Sequence, residues 1–205
     1  MSDRSIIRRP FPYRFYNATV ALIVVNVVVF LVNRVAPNTV LYLGLFPQLV
    51  VQRSFYWQIV TYMFVHGSFL HILFNMLGLF IFGIQLEREM GSSEFLLFYF
   101  VTGIGTGLVS LALDANVIGA SGAIYALLLA FATYFPYSRI YIWGILPLKA
   151  PVAVLLFAGI SLFFQFSGMA AGIAHFAHLA GLVIGYLYFL VRLNINPIRV
   201  FLGSR

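Results

Sequence analysis

Long runs of apolar residues, separated by short stretches rich in polar residues, glycine or proline, dominate the pattern along the chain. Six runs stand out, at about residues 17–35, 68–86, 94–113, 121–135, 149–166 and 172–192. Because about 20 apolar residues in a helix cross ~30 Å of hydrocarbon, five runs are long enough to span a bilayer. The fourth is too short, which indicates a helix wrapped by the others. The pattern predicts an all-α polytopic membrane protein of six transmembrane helices with a short central helix 4.

The composition indicates that lipid surrounds most of the chain. Of its 205 residues, 62% are hydrophobic and 8% are charged, whereas a soluble domain carries about 25% charged residues. We therefore expect the lipid bilayer to be the main partner of the surface. The expected organisation is a single membrane domain, with a cytoplasmic N-terminal segment 1–16, a six-helix core 17–192 and a cytoplasmic tail 193–205. No second soluble domain is expected.

The net charge of +7 indicates orientation rather than nucleic-acid binding. The basic residues form no patch interleaved with aromatic residues, as a nucleic-acid surface would need. On a six-helix topology, Arg34 and Arg53 fall on one side, and ten basic residues fall on the side of both termini: Arg4, Arg8, Arg9, Arg14, Arg88, Arg139, Lys149, Arg192, Arg199 and Arg205. Cytoplasmic loops carry the excess of Lys and Arg. Both termini are therefore predicted to be cytoplasmic, in the cell (inner) membrane, with the first apolar run retained as a helix.

Four histidines lie in or beside apolar runs, at the ends of those runs on the side opposite the termini: His66, His71, His175 and His178. Ionisable groups inside a membrane are costly and mark candidate functional sites. The alternative is that each hydrogen-bonds to a neighbouring helix and stabilises the bundle. A metal site is weakly supported, because the HExxH motif is absent and no carboxylate is placed nearby. We expect neither a metal nor another cofactor.

The fourth run begins with the sequence GASG, in which glycines 119 and 122 flank Ser121. Glycine keeps bulk away from the hydroxyl and permits a tight entry into a helix. The helix start supplies free N–H groups and a positive dipole end, which suit a developing oxyanion. Serine is also a common helix N-cap, so the motif alone fits either a cap or a nucleophile.

A serine nucleophile needs a general base, and the sixth run offers one. On a helix of 3.6 residues per turn, His178, Gly181 and Gly185 lie within about 60° of one another. Such a stripe of small residues lets another helix approach closely, and if that helix is the fourth, His178 reaches Ser121. His175 projects off the stripe, so His178 is favoured as the base. Asp114 is poorly placed to orient it, which predicts a Ser–His dyad.

His71 and Asn75 are four residues apart, and so lie on one face of the second helix. Two side-chain donors aimed at one point could complete an oxyanion hole with the Ser121 N–H. The alternative role for both is hydrogen bonding between helices.

Three motifs together resemble the rhomboid intramembrane serine proteases. They are GASG with Tyr125 four residues after the serine, H-x-x-x-N at His71–Asn75, and A-H-L-A-G-L-x-x-G at 177–185. The resemblance covers about residues 17–192 and implies the minimal six-helix bacterial type. It implies a serine endopeptidase that cuts single-pass transmembrane proteins in or near their membrane segments.

The resemblance also implies a role for each matching residue. Ser121 would be the nucleophile and His178 the base, while His71 and Asn75 would stabilise the oxyanion. Tyr125 would stack on the catalytic imidazole, His66 and Gly119 would support the site, and Gly181 and Gly185 would form the contact between helices 4 and 6. Glu87 matches a structural glutamate.

One departure from the family pattern concerns the first long loop. Trp57 matches the tryptophan of a Trp-Arg pair, but Gln58 follows it, which puts the usual arginine contacts in doubt. Helix 5, with Phe157, Phe163, Phe164 and Phe166, and the loop 167–172 are expected to form a movable gate.

Two alternatives belong to other functional classes. The first is a non-catalytic rhomboid-like protein that binds membrane helices, although such relatives lack the dyad. The second is a polytopic transporter, for which no inverted repeat or midplane carboxylate is found.

Overall fold

The computed structural model describes residue 8 and residues 10–142, 144–167 and 175–203. Six main helices follow one another along the chain: α1 (Ala18–Val35), α2 (Phe69–Met90), α3 (Ser92–Ala112), α4 (Ser121–Tyr134), α5 (Ala150–Ser167) and α6 (His175–Leu193). All except α4 are long and apolar enough to cross a membrane. The predicted polytopic six-helix fold with a short fourth helix is therefore confirmed. The division at residues 16 and 192 stays a prediction.

Helix α4 forms the centre of the bundle. Gly122, Ala123 and every residue from Ala126 to Thr133 are buried, whereas at most 44% of any of the five long spans is buried. At 1.5 Å per residue, its 14 residues extend about 21 Å, which is less than the hydrocarbon thickness. The other helices therefore surround α4, which is too short to cross the hydrocarbon layer.

Helix α2 continues four residues beyond the predicted end at 86, to Met90, and Glu87 is the first residue of this extension. Its carboxylate accepts hydrogen bonds from the backbone N–H groups of Ala18 (2.6 Å) and Thr19 (2.8 Å), and from the Ser92 hydroxyl. The side chain is 1% exposed, so it satisfies the first N–H groups of α1 where no water reaches them. Helix α2 then ends at Gly91, whose φ of +80° favours glycine.

A second buried carboxylate joins α3 to α6 on the same side of the bundle. Glu94 makes an ion pair with Arg192, with two contacts of 2.8 Å, and accepts a hydrogen bond from the Tyr188 hydroxyl. We call the side that holds these groups the termini side, and the side where α4 begins the Ser121 side. Arg34 and Arg53 are the two described basic residues that fall on the Ser121 side, and seven fall on the termini side: Arg8, Arg14, Arg88, Arg139, Lys149, Arg192 and Arg199.

A two-stranded antiparallel hairpin between α4 and α5 was not predicted. Strand β1 (Arg139–Ile142) pairs with β2 (Leu146–Lys149), with Arg139 opposite Lys149 and Ile142 opposite Leu146. Proline and glycine between the apolar runs predict only breaks between helices, and this hairpin contains Pro147 in β2.

The segment between α1 and α2 folds into three short helices and a 3₁₀ turn, at Thr39–Leu43, Pro47–Arg53, Gln58–Thr61 and Tyr62–Phe64. Gln58 is fully buried at its centre. Its amide oxygen accepts from Phe46 N–H (3.0 Å), and its amide nitrogen donates to the Leu41 carbonyl (2.7 Å). Gln58 therefore supplies polar contacts that hold this loop together, at the position where the family pattern has arginine.

Small residues set the closest approach between α4 and α6. A methyl group added at Gly181 would overlap the Gly122 carbonyl, and one added at Gly185 would lie 3.1 Å from Ala126 Cβ. A residue larger than glycine at 181 therefore forces the two backbones apart.

Gly181→Ala tests this contact. Because overpacking a tight contact costs about 1–3 kcal/mol, we expect the substitution to lower the free energy of unfolding by about 2 kcal/mol in a denaturant or thermal titration. Gly159→Ala on α5 is the matched control, since nothing lies within 4 Å of the added methyl group. Equal stability of the two variants would contradict the close approach.

Candidate active site

The chain entering α4 is held by the loop before α2, and this contact fixes the position of Ser121. Leu45 and Val117 exchange two backbone hydrogen bonds of 3.0 Å, and Gly119 N–H donates to the Tyr62 carbonyl at 2.8 Å. Gly119 has a φ of +99°, which is a conformation that favours glycine. Ser121 is consequently the first residue of α4, where the N–H groups have no acceptor within the helix.

Ser121 and His178 are in hydrogen-bonding contact across the α4–α6 interface. The distance from Ser121 Oγ to His178 Nε2 is 2.9 Å. The other ring nitrogen, His178 Nδ1, is buried and has no hydrogen-bond partner within the described ranges. Asp114 is exposed and makes no bond to this ring. The arrangement is therefore a pair without a carboxylate among the described residues.

Tyr125 lies one turn after Ser121 and covers the imidazole of His178. The two rings are parallel within 9°, and their centroids are 4.3 Å apart. Since a flat aromatic contact restricts rotation of both rings, Tyr125 restricts the plane in which His178 can meet Ser121.

His71 borders the entry to α4. A Cβ atom at Gly119 would lie 2.5 Å from His71 Nε2, so glycine leaves the space that this imidazole occupies. His66 packs edge-on against His71, with 4.9 Å between ring centroids, and is 2% exposed. Burial, and to a smaller extent His71, lowers the pKa of His66 to about 4, so this ring is neutral at pH 7. His66 thus supports His71 as an uncharged group.

Asn75 is buried one turn after His71, as the spacing predicted. Its amide nitrogen donates to the His71 carbonyl at 2.8 Å within α2. One N–H of the amide remains for another acceptor. In the described structure, the Asn75 amide therefore donates within α2 rather than to another helix.

The sequence places His175 off the stripe formed by His178, Gly181 and Gly185, but in the structure His175 packs against His178. The two imidazoles meet edge-on with centroids 5.8 Å apart, and neither nitrogen of His175 has a hydrogen-bond partner in the described structure. The ring also stacks on Phe164 of α5, at 5.4 Å.

Sequence reasoning missed Ser161, whose hydroxyl donates to the Tyr125 hydroxyl at 3.1 Å. The available signal was a single hydroxyl residue in the middle of an apolar run.

Of the residues expected to form a gate, Phe157 packs edge-on against Tyr125, whereas Phe163 and Phe166 are exposed. Residues 168–172 of the expected gate loop lie outside the described residues.

Comparison with known proteins gives the family. The model of the Rhomboid domain matches residues 53–195. The chain is 30% identical over 172 residues to "Rhomboid protease GlpG" of Haemophilus influenzae, an alignment that covers 83% of this chain and 88% of that protein. It is 34% identical over 141 residues to "Putative rhomboid protease YdcA" of Bacillus subtilis, covering 67% of each.

Plant relatives extend the comparison to longer proteins. The chain is 34% identical over 147 residues to "RHOMBOID-like protein 4" of Arabidopsis thaliana, covering 70% of this chain. That alignment spans 36% of the plant protein, and two further Arabidopsis relatives are matched over 44% and 49% of their length. The domain match over most of the chain, together with the bacterial relatives, shows that this protein is a member of the rhomboid family.

Proposed function

We propose that this chain is an intramembrane serine endopeptidase in which Ser121 is the nucleophile and His178 the general base. The observation that carries the proposal is the 2.9 Å contact between Ser121 Oγ and His178 Nε2 at the start of a buried helix. A hydroxyl becomes a competent nucleophile when an adjacent base accepts its proton. Neither the non-catalytic alternative nor a transporter requires this pairing.

The reaction follows from the positions of these two side chains. His178 Nε2 takes the hydroxyl proton as Ser121 Oγ attacks the carbonyl carbon of a peptide bond, which gives a tetrahedral oxyanion. The imidazolium then protonates the leaving amine, and an acyl-enzyme remains. Water, deprotonated by the same imidazole, attacks the ester and releases the second product. Tyr125 faces the imidazolium, whose charge an aromatic face stabilises.

The oxyanion is stabilised by groups at the start of α4 and the end of α2 nearest to it. The Ser121 N–H lies at the positive end of the α4 dipole. His71 adjoins Gly119, two residues before the nucleophile, and Asn75 retains one amide N–H after its bond to the His71 carbonyl. These two side chains are the proposed additional donors.

The substrates are transmembrane proteins, and we propose single-pass ones. Because the carbonyl groups of an intact helix are hydrogen-bonded within it, a substrate helix must unwind near its end on the Ser121 side to expose a carbonyl to Ser121. Seven described basic residues on the termini side against two on the Ser121 side support cytoplasmic termini. The site then opens toward the outer face of a cell membrane.

Ser121→Ala tests the nucleophile. Loss of the hydroxyl should reduce cleavage of a model transmembrane substrate by at least about a thousandfold, since a serine enzyme without its nucleophile keeps little turnover. Cleavage is measured by gel analysis in detergent, with the melting temperature as a control for folding. EDTA should have no effect on the unmodified protein. Turnover within about tenfold of the unmodified protein, or inhibition by EDTA that zinc reverses, would refute the assignment.

His178→Ala and His175→Ala separate the two histidines of α6. His178→Ala should lose activity by a similar factor, because the serine then lacks its base. His175→Ala should stay within about tenfold of the unmodified rate, since neither ring nitrogen contacts Ser121 or another polar group of the described structure. The opposite ranking of the two variants would show that the base is misassigned.

Asn75→Ala distinguishes transition-state stabilisation from helix packing. Removing one oxyanion donor costs on the order of 10²–10³ in turnover in a soluble protease, so we expect a lower maximal rate at an unchanged KM. Stability should fall little, because its recorded hydrogen bond lies within α2. Bonds between membrane helices contribute about 0.6 kcal/mol on average. A destabilised variant whose folded fraction works at the normal rate would exclude the oxyanion role.

A further inference from the structure

Helix α5 touches the rest of the bundle along one narrow stripe. Its buried residues are Ala150, Ala153, Val154 and Ser161, and it is the least buried of the five long spans, at 22%. Phe157 lies on the same stripe, one turn before Ser161, and packs edge-on against Tyr125. Most of the remaining surface faces outward, through Val152, Leu155, Leu156, Ile160, Leu162, Phe163 and Phe166. Ser161 is thus the buried polar residue of this stripe, and one turn further along α5 the exposed Gln165 side-chain oxygen accepts a hydrogen bond from Phe176 N–H at 3.0 Å.

The hydrogen bond of Ser161 differs from those of four other buried hydroxyls inside the helices, and the buried hydroxyl of Ser92, which donates to Glu87 on another helix, lies at the termini side. Thr102, Thr106, Ser110 and Thr133 each donate to the carbonyl four residues earlier in their own helix. That bond is available to any serine or threonine in a membrane helix. Ser161 instead donates to Tyr125 on another helix, at 3.1 Å. Its hydroxyl therefore joins α5 to the residue that covers the catalytic imidazole.

The orientation of His178 depends on few contacts. In a Ser–His–Asp triad the carboxylate holds Nδ1 and fixes the ring, but His178 Nδ1 has no partner among the described residues. What remains is the bond to Ser121, the stacked ring of Tyr125 at 4.3 Å and the edge-on ring of His175 at 5.8 Å, and of the two rings Tyr125 is the one that covers the face of the imidazole. The tilt of Tyr125 therefore sets the plane of the imidazole, and a bond to the far end of the tyrosine ring resists that tilt.

We propose that Ser161 is a positioning residue for the catalytic histidine and acts through Tyr125. The proposal rests on the proposed function. The Ser161–Tyr125–His178 chain takes the orienting role that a carboxylate has in a Ser–His–Asp triad. The net free energy of a neutral hydrogen bond corresponds to about a threefold to tenfold change in rate. Removing the Ser161 hydroxyl frees the Tyr125 ring to tilt and lowers the fraction of molecules in which Nε2 meets the serine hydroxyl.

A double-mutant cycle on the full chain in detergent tests the proposal. Ser161→Ala and Tyr125→Phe each remove the bond but keep the packing, and Tyr125→Phe also keeps the stacked ring. The control is Ser110→Ala on α3, a fully buried serine whose hydroxyl bonds only within its own helix in the described structure. The readouts are the rate and concentration dependence of labelling by a small fluorophosphonate, the kcat and KM for a transmembrane substrate, and the melting temperature.

Ser161→Ala should lower the maximal labelling rate and kcat by about threefold to tenfold at unchanged KM. Ser110→Ala should stay within about twofold of the unmodified protein. The double variant should be no slower than the slower single variant, because both substitutions remove one shared bond.

Three outcomes would overturn the proposal: Ser161→Ala labels as fast as Ser110→Ala, the losses of the two single variants add, or the unfolded fraction accounts for the whole loss. Failure of the unmodified protein to label at Ser121 would instead reject the proposed function, and with it this inference. The two failures are therefore distinguishable.

Discussion

The close approach of α4 and α6 at Gly122 and Gly181 is the contact on which the candidate site depends. A methyl group at 181 would overlap the Gly122 carbonyl, so the two backbones are as near as glycine allows. Helix association in lipid gains no hydrophobic driving force and depends on such packing and on hydrogen bonds. The same contact brings His178 within 2.9 Å of Ser121. Packing and proposed chemistry are thus two consequences of one stripe of small residues.

Polar groups elsewhere in the bundle follow the rule that a buried polar atom needs a partner. On the termini side, Glu87 satisfies the start of α1, and Glu94 joins α3 to α6 through Arg192 and Tyr188. On the Ser121 side, the buried atoms without a hydrogen-bond partner within the described residues include imidazole nitrogens of His66, His175 and His178 and the Asn75 carbonyl oxygen. On the termini side, the Thr19 hydroxyl is without such a partner. The open imidazole and amide atoms belong to residues in and beside the candidate site, as expected if that side binds a reacting group.

The hydrophobic pattern predicted the six helices because lipid requires long apolar runs, and the spacing of His178, Gly181 and Gly185 predicted which face of α6 packs closely against another helix. The continuation of α2 to Met90 could not be predicted from hydropathy, since Glu87 is buried through bonds to residues far apart in sequence. The β1–β2 hairpin could not be predicted because proline and glycine between apolar runs indicate a break without specifying strand pairing. Ser161 and the bonds of Gln58 depend on which residues face one another across the bundle, which a single sequence does not specify.

Ser121 as the nucleophile is tested most sharply by the location of the adduct that a fluorophosphonate forms with the intact protein, determined by mass spectrometry of its peptides. An activated hydroxyl reacts where its proton acceptor is in place. We expect a single adduct on Ser121 that is absent from the His178→Ala variant. An adduct on a different serine, or cleavage of a transmembrane substrate by a protein whose Ser121 never reacts, would contradict it.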